Sequence, residues 1–373
     1  MLGRTKINVF TAALIVFMSF GEVPSKAAPD SEIKAPYVSA HYAVAVDAGS
    51  KRILYDKNAH SITPMASTTK IMTALVALKY GELDKKVPIS ARAAGIRGSV
   101  VGYRKGEEIT IRELVYGLML RSGNDAAIAI AEGITGSVDK FAHLMNEYAA
   151  TIGLVDTHFE SPHGLDSVMH YTTAYDLALL TAKAKETREF NEIVAAKIVT
   201  KEQYGFSRGF NNINKILWFL PQANGVKTGY TGKAGKCLVS SVNKDGNDII
   251  IVLINCPQRW QETKKIYEYI TRRYEYKKVS TKNEPVYSMK VPKAKSELKL
   301  VCREDAVVPV RIGAEIETKV AVPKDLTPPL SRGEKVGTMN IYEDKKLIYS
   351  TPLISSNTLE KQKGLRKWFK FLK

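Results

Sequence analysis

Cysteine is nearly missing from this chain. Cys237, Cys256 and Cys302 are three thiols among 373 residues, odd in number and widely spaced, and a chain of this length builds a core without disulfide staples. None sits in a motif beside a base, which removes a catalytic cysteine; Cys237 and Cys256 lie in neighbouring apolar segments and read as buried thiols. The six histidines show no H-E-x-x-H or similar spacing, so neither a metal nor another cofactor is expected. Also missing is an apolar run long enough to cross a bilayer. The run from Val9 to Phe20 is shorter than the ~20 residues a spanning helix needs. Arg4 and Lys6 precede it and small residues around Ala27 and Ala28 follow it, so residues 1–27 are expected to be a secretory signal. Acidic residues are outnumbered, 38 against 55 lysines and arginines, for a net charge of +17. Nucleic acid is not the partner this implies, because no basic-aromatic recognition module accompanies the charge and export would separate the two. A basic surface suits the anionic bacterial envelope better.

The length and the 45% hydrophobic content imply two folded domains plus terminal extras. Residues 42–47 and 52–55 flank Ala48-Gly49-Ser50-Lys51 as a β-hairpin. From Ser67 the apolar pattern becomes helical and stops at Gly81. Thr110-Ile111-Arg112-Glu113 has capping-box form and opens a helix through Leu120. A further helix is expected from about Asp125, and others over 171–185 and 187–196. Strands over 236–242 and 248–255 are joined by a turn, and a helix over 261–274 follows. Residues 28–276 thus form a mixed α/β domain in which terminal strands enclose a helical middle.

Lysines and Pro285 and Pro292 then interrupt any long helix. Short strands over 307–312, 315–322, 335–342 and 346–349 make residues 277–357 a small β-rich domain. Residues 358–373 differ again. On a helix Leu365, Trp368, Phe369 and Leu372 fall at i, i+3, i+4 and i+7, with lysines and Arg366 largely elsewhere, the pattern of a helix lying on an anionic membrane surface.

The chemistry lies in three segments in fixed order: Ser67-Thr68-Thr69-Lys70, Ser122-Gly123-Asn124 and Lys227-Thr228-Gly229. Three residues apart at a helix start, Ser67 and Lys70 share one face. A serine hydroxyl becomes a nucleophile when a base takes its proton, and a lysine does so only with a lowered pKa. Burial and a neighbouring cation would lower it, and Lys227 is the expected cation, able also to hold an anionic part of a substrate. Ser122 is placed to relay a proton to a leaving amine and Asn124 to hydrogen-bond a substrate amide or the lysines. The backbone N–H groups of Ser67 and Tyr230 are the expected oxyanion donors. Gly229 lets a substrate backbone approach the strand closely. The Tyr230, Arg259 and His163 side chains are weaker candidates, divided between substrate contact and structure.

With these motifs the sequence resembles the low-molecular-mass penicillin-binding proteins that act as serine-type D-alanyl-D-alanine carboxypeptidases. The resemblance spans about residues 35–357 and the tail, and includes Ser161-Pro162-His163-Gly164-Leu165-Asp166, the segment from His170 to Asp176, and Asn224 to Thr231. It implies an α/β (α+β) transpeptidase/β-lactamase-like catalytic domain, a small C-terminal all-β domain, and an amphipathic helix on the outer face of the cytoplasmic membrane. It implies that Ser67 attacks the carbonyl between the two terminal D-alanines of a peptidoglycan stem pentapeptide and that water hydrolyses the acyl-enzyme. β-Lactams would acylate the same serine. Thr228 and Arg259 would hold the terminal carboxylate. Some relatives carry histidine where this chain has Tyr230, which bears on rate and pH dependence more than on mechanism.

Three other readings compete. A class A β-lactamase needs a glutamate in an E-x-x-L-N type loop, and no such motif lies between Asn124 and Lys227; the nearest acidic candidates, Glu160 and Asp166, lack that context. A crosslink-cleaving endopeptidase or transpeptidase shares the motifs but needs an amine acceptor or a longer cleft. A non-catalytic sensor of wall peptides or penicillin would not need the full set of reactive side chains present here.

Overall fold

The computed structural model describes residues 33–362, together with the backbone of one short strand, Ala13–Met18. The rest of the expected export signal, and residues 363–373 of the expected membrane helix, lie outside the described residues. The chain divides into two compact units between Arg273 and Tyr274.

The first unit is built on a five-stranded antiparallel sheet in the order Ile53–Lys57, Tyr42–Asp47, Asn247–Ile254, Gly235–Lys244, Ala223–Thr231. The N-terminal hairpin and the last three strands therefore meet side by side, and the helices lie between them in sequence. The central strand buries six consecutive apolar residues, Ile249 to Ile254. Side chains alternate across a strand, so an unbroken apolar run means that both faces are covered. Ile250, Val252 and Ile254 join the large core with Val44, Val46, Leu177 and Ala178. Ile249, Ile251 and Leu253 point to the other face, where the helix Arg259–Arg273 packs.

Helix Lys70–Tyr80 buries every residue from Lys70 to Ala77 and ends at Gly81. A helix apolar all round belongs at the centre of a domain. It is entered through a tight turn, Ala66–Thr69, of 3₁₀ form. Helix Ile111–Leu120 starts as its sequence implies, with the Thr110 hydroxyl accepting from the Glu113 N–H at 3.2 Å. The reciprocal half of the capping box is not made: the Glu113 carboxylate turns to Ser207 instead, accepting its backbone N–H at 2.8 Å. Helix Asn124–Thr135 follows directly. Helix Val138–Thr151 has no counterpart in the sequence reading, although Ser137 caps it and Val138, Phe141, Met145 and Tyr148 form its buried stripe. The remaining long helices are Ala174–Ala184 and Arg188–Ala195.

The second unit holds the antiparallel strands Ile316–Pro323, Lys335–Glu343, Lys346–Ser355, Leu298–Cys302 and Pro285–Met289 in that spatial order, with Ala13–Met18 along the outer edge of Ile316–Pro323. A separate pair joins Tyr274–Ser280 to Ala306–Arg311. Leu300, Cys302, Val308, Val310, Met339, Ile341 and Leu353 form its core. Strands Tyr274–Ser280 and Pro285–Met289 replace what was read as a helix end and an irregular linker. The membrane-helix boundary also needs correction. Residues 358–362 are extended: Leu359 is fully buried and bridges Leu330, and Lys361 bridges Ala294. Any helix starts beyond Gln362.

Candidate active site

The turn Ala66–Thr69 places Ser67 at the mouth of the central helix, partly exposed, with Lys70 fully buried below it. Around the Lys70 nitrogen stand Ser67 Oγ at 3.0 Å, Asn124 Oδ1 at 2.7 Å and the backbone carbonyl of His163 at 2.7 Å; the last two can only accept, so a neutral amine donates to them and turns its lone pair to the Ser67 hydroxyl. Burial, then the positive charge of Lys227, holds the Lys70 pKa well below its ordinary value; Asp125 acts in the opposite sense. A neutral amine beside the hydroxyl is what proton abstraction requires.

Ser122 and Asn124 follow helix Ile111–Leu120, whose chain turns sharply through Ser122 in the left-handed region (φ 62°). Asn124 donates from Nδ2 to the Arg97 carbonyl at 2.7 Å, which turns its Oδ1 toward Lys70. Asp125, which the sequence reading passed over, secures the same loop. Its carboxylate accepts the backbone N–H groups of Val101, Gly102 and Tyr103 at 2.9, 2.8 and 3.2 Å.

Strand Ala223–Thr231 supplies the opposite wall. Lys227 is buried and donates to the Thr228 carbonyl at 3.0 Å; burial, then the charge of Arg259, pushes its pKa down to about 7. Gly229 faces the serine turn directly: a Cβ there would stand 3.1 Å from the Ala66 methyl and 3.2 Å from the Ser67 nitrogen. Thr228 is buried beside it, and the Tyr230 side chain is 67% exposed. Arg259 donates from one terminal nitrogen to the carbonyls of Gly229 (3.0 Å) and Cys237 (3.1 Å), residues that pair across the two strands, while its guanidinium lies over the Trp260 ring. That nitrogen pins the strand pair behind the glycine.

Ser67, Lys70, Asn124, Lys227 and Gly229 thus come together from three distant parts of the chain, with Ser122 two residues before Asn124 and Thr228 between Lys227 and Gly229. His163 contributes through its carbonyl; its ring is pushed down to about 3 by burial, then by Lys70. Neither Glu160 nor Asp166 bonds to Ser67 or Lys70. Glu160 accepts from Ser167 and from the Met169 N–H, and Asp166 from the Lys233 N–H at 3.2 Å. Cys237, Cys256 and Cys302 are buried free thiols. Among the described residues no group of three His, Cys, Asp or Glu side chains is placed to hold a metal.

Two family models match the chain. Residues 30–258 match "D-alanyl-D-alanine carboxypeptidase", and residues 274–361 match "Penicillin-binding protein 5, C-terminal domain". The D-alanyl-D-alanine carboxypeptidase DacF of Bacillus subtilis is 30% identical, over 89% of this chain and 90% of its own length. DacC of Escherichia coli is 31% identical, over 90% of this chain and 88% of its own. The crystal structure of penicillin-binding protein 5 from Haemophilus influenzae aligns with a TM-score of 0.77 and 29% identity, covering 88% of this chain and 99% of that one.

Proposed function

The chain belongs to the D-alanyl-D-alanine carboxypeptidase family, and on that premise we propose that it removes the terminal D-alanine from peptidoglycan stem pentapeptides through an acyl-enzyme on Ser67. Lys70 takes the Ser67 proton as the hydroxyl attacks the carbonyl between the two D-alanines. The oxyanion is received by the backbone N–H groups of Ser67 and Tyr230. Lys227, with Thr228, holds the terminal carboxylate, and Ser122 passes a proton to the departing amine of D-alanine. Water then hydrolyses the ester, and the serine recovers its proton. Arg259 supports the carboxylate site by holding the strand carrying Thr228 and Gly229 in place. A β-lactam presents a strained amide and a carboxylate to the same groups, so it acylates Ser67 and leaves slowly.

The observation that carries this reading is the 3.0 Å contact between the Lys70 amine and the Ser67 hydroxyl in a site where burial and a second lysine disfavour the charged amine. The mature chain should release free D-alanine from a diacyl-Lys-D-Ala-D-Ala tripeptide, and Ser67→Ala should abolish the release. Equal release by both proteins, or by neither, would sink the assignment.

We also place the chain outside the cell, exported through residues 1–27 and attached peripherally by residues 363–373. No helix among the described residues is long and apolar enough to cross a membrane. Deleting residues 363–373 should free the protein from vesicles containing anionic lipid while D-alanine release continues. A truncated protein that still sediments with those vesicles would overturn the anchor.

A further inference from the structure

Ala66, just ahead of the nucleophile, is a non-glycine residue in the left-handed region, with φ 51°. Such a conformation persists only where surrounding contacts enforce it. Its methyl is boxed against Gly229, and its carbonyl lies under Gly164, where a Cβ would come within 2.0 Å of the oxygen. The carbonyl accepts the Thr69 hydroxyl proton at 2.8 Å. Thr69 Oγ1 in turn lies 2.8 Å from Nε2 of His170, a buried residue 101 positions later.

The proton positions along this chain are determined. His170 Nδ1 accepts the Glu160 backbone N–H at 3.0 Å, so it carries no proton of its own. The ring proton is therefore on Nε2 and is donated to Thr69, whose own proton goes on to Ala66. Burial keeps the ring neutral, with its pKa pushed down to about 4. The same loop, 160–170, reaches the nucleophile's helix at two more points: the Pro162 carbonyl accepts from Thr73 at 2.6 Å and the His163 carbonyl from Lys70.

We propose that His170 is a positioning residue for acylation: acting through Thr69, it fixes the Ala66 carbonyl and so the backbone turn from which Ser67 presents both its hydroxyl and its N–H. The attack geometry depends on that turn, and small misplacements of a nucleophile cost rate much more than binding.

The inference rests on the Ser67 reading above, and the test separates the two. Acylation of the full mature chain by a fluorescent penicillin would be timed beside kcat and KM for the tripeptide. Asn at position 170 reaches only the Nδ1 position and cannot donate to Thr69, whereas the amide of Gln reaches the Nε2 position. His170→Asn and Thr69→Val should each slow acylation about tenfold with KM within about twofold of wild type. His170→Gln should recover most of the rate. The double variant should be no slower than the slower single, because both remove one linked hydrogen-bond chain. Wild-type rates in His170→Asn, multiplicative losses in the double variant, or a change confined to KM would each overturn the proposal. If His170→Asn fails to fold, the Thr69→Val and His170→Gln rates decide: a Thr69→Val rate equal to wild type overturns it. Wild type that is not acylated, or acylation that persists in Ser67→Ala, would bring down the Ser67 reading and this one with it.

Discussion

Two lysines of the first unit are buried on terms unlike those of a buried carboxylate in the second, although the first unit also holds paired charges such as Lys185 and Asp248 at 3.1 Å. In the second, the buried Glu343 carboxylate is met by Arg311, through Nε at 2.8 Å and its backbone N–H at 2.6 Å. In the first, Lys70 and Lys227 are as deeply buried, yet among the described residues neither has a carboxylate within ion-pair distance; burial lowers the pKa of both, with Lys227 adding to the effect at Lys70 and Arg259 at Lys227. A buried charge without a counter-charge is costly and responds by giving up its proton. Folding alone has no use for such lysines, so their presence marks the first unit as the reactive one.

That contrast breaks most sharply with two matched substitutions. Lys70→Met should reduce D-alanine release by about 10³-fold or more with only a small change in the urea midpoint, since the loss of a donor to Asn124 and to the His163 carbonyl is offset by removing a buried amine that has no carboxylate partner. Arg311→Met should do the reverse. It takes the guanidinium away from Glu343, which keeps the backbone N–H of residue 311, and should cost about 2 kcal/mol of stability in the second unit, measured by urea unfolding, with D-alanine release by the folded fraction at the wild-type rate. A Lys70→Met as destabilised as Arg311→Met, or an inactive but stable Arg311→Met, would erase the distinction.

A smaller effect is expected at Gly229. Its added methyl in Gly229→Ala would press on Ala66 and the Ser67 nitrogen at 3.1–3.2 Å, which should slow penicillin acylation about 10- to 100-fold with little change in thermal midpoint. A further effect is one of slope. The Lys227 pKa is about 7 in the folded chain against an ordinary 10.5, so between those values the unfolded chain binds more protons. Stability should therefore rise with pH from about 7 to about 10.5. Lys227→Met should flatten that rise in urea midpoints taken across the range, and Arg311→Met should leave it intact.

How far the residues alone lead depends on what carries the contact. Ser67, Lys70, Asn124 and Lys227 act through side chains in short motifs, and they stand where those motifs imply. The His163 contribution is a carbonyl, which every residue possesses, and no sequence pattern distinguishes it. Asp125 acts on backbone groups 22 to 24 residues away and His170 on one ten residues away, and these partners become visible only when 97–103 and 160–170 are folded. Helix Val138–Thr151 is a different matter: its serine cap and apolar stripe were legible. Strand Tyr274–Ser280 was hidden by its lysines and Pro285–Met289 by its proline and its mostly exposed residues, and they are strands by virtue of pairing with Ala306–Arg311 and Leu298–Cys302. Leu359 looked like part of the neighbouring amphipathic pattern, but its bridge to Leu330 claims it for the second unit.

The contact between Gly229 and the serine turn also bears on antibiotic resistance. An enzyme often escapes a drug by growing a side chain into the pocket that the drug fills. At position 229 that route is closed: the first carbon added already meets the nucleophile's own turn, so the change that would shut out a β-lactam would disarm the serine against its wall peptide as well. Resistance in such a site has to arise at its periphery, or in how quickly the acylated serine is set free.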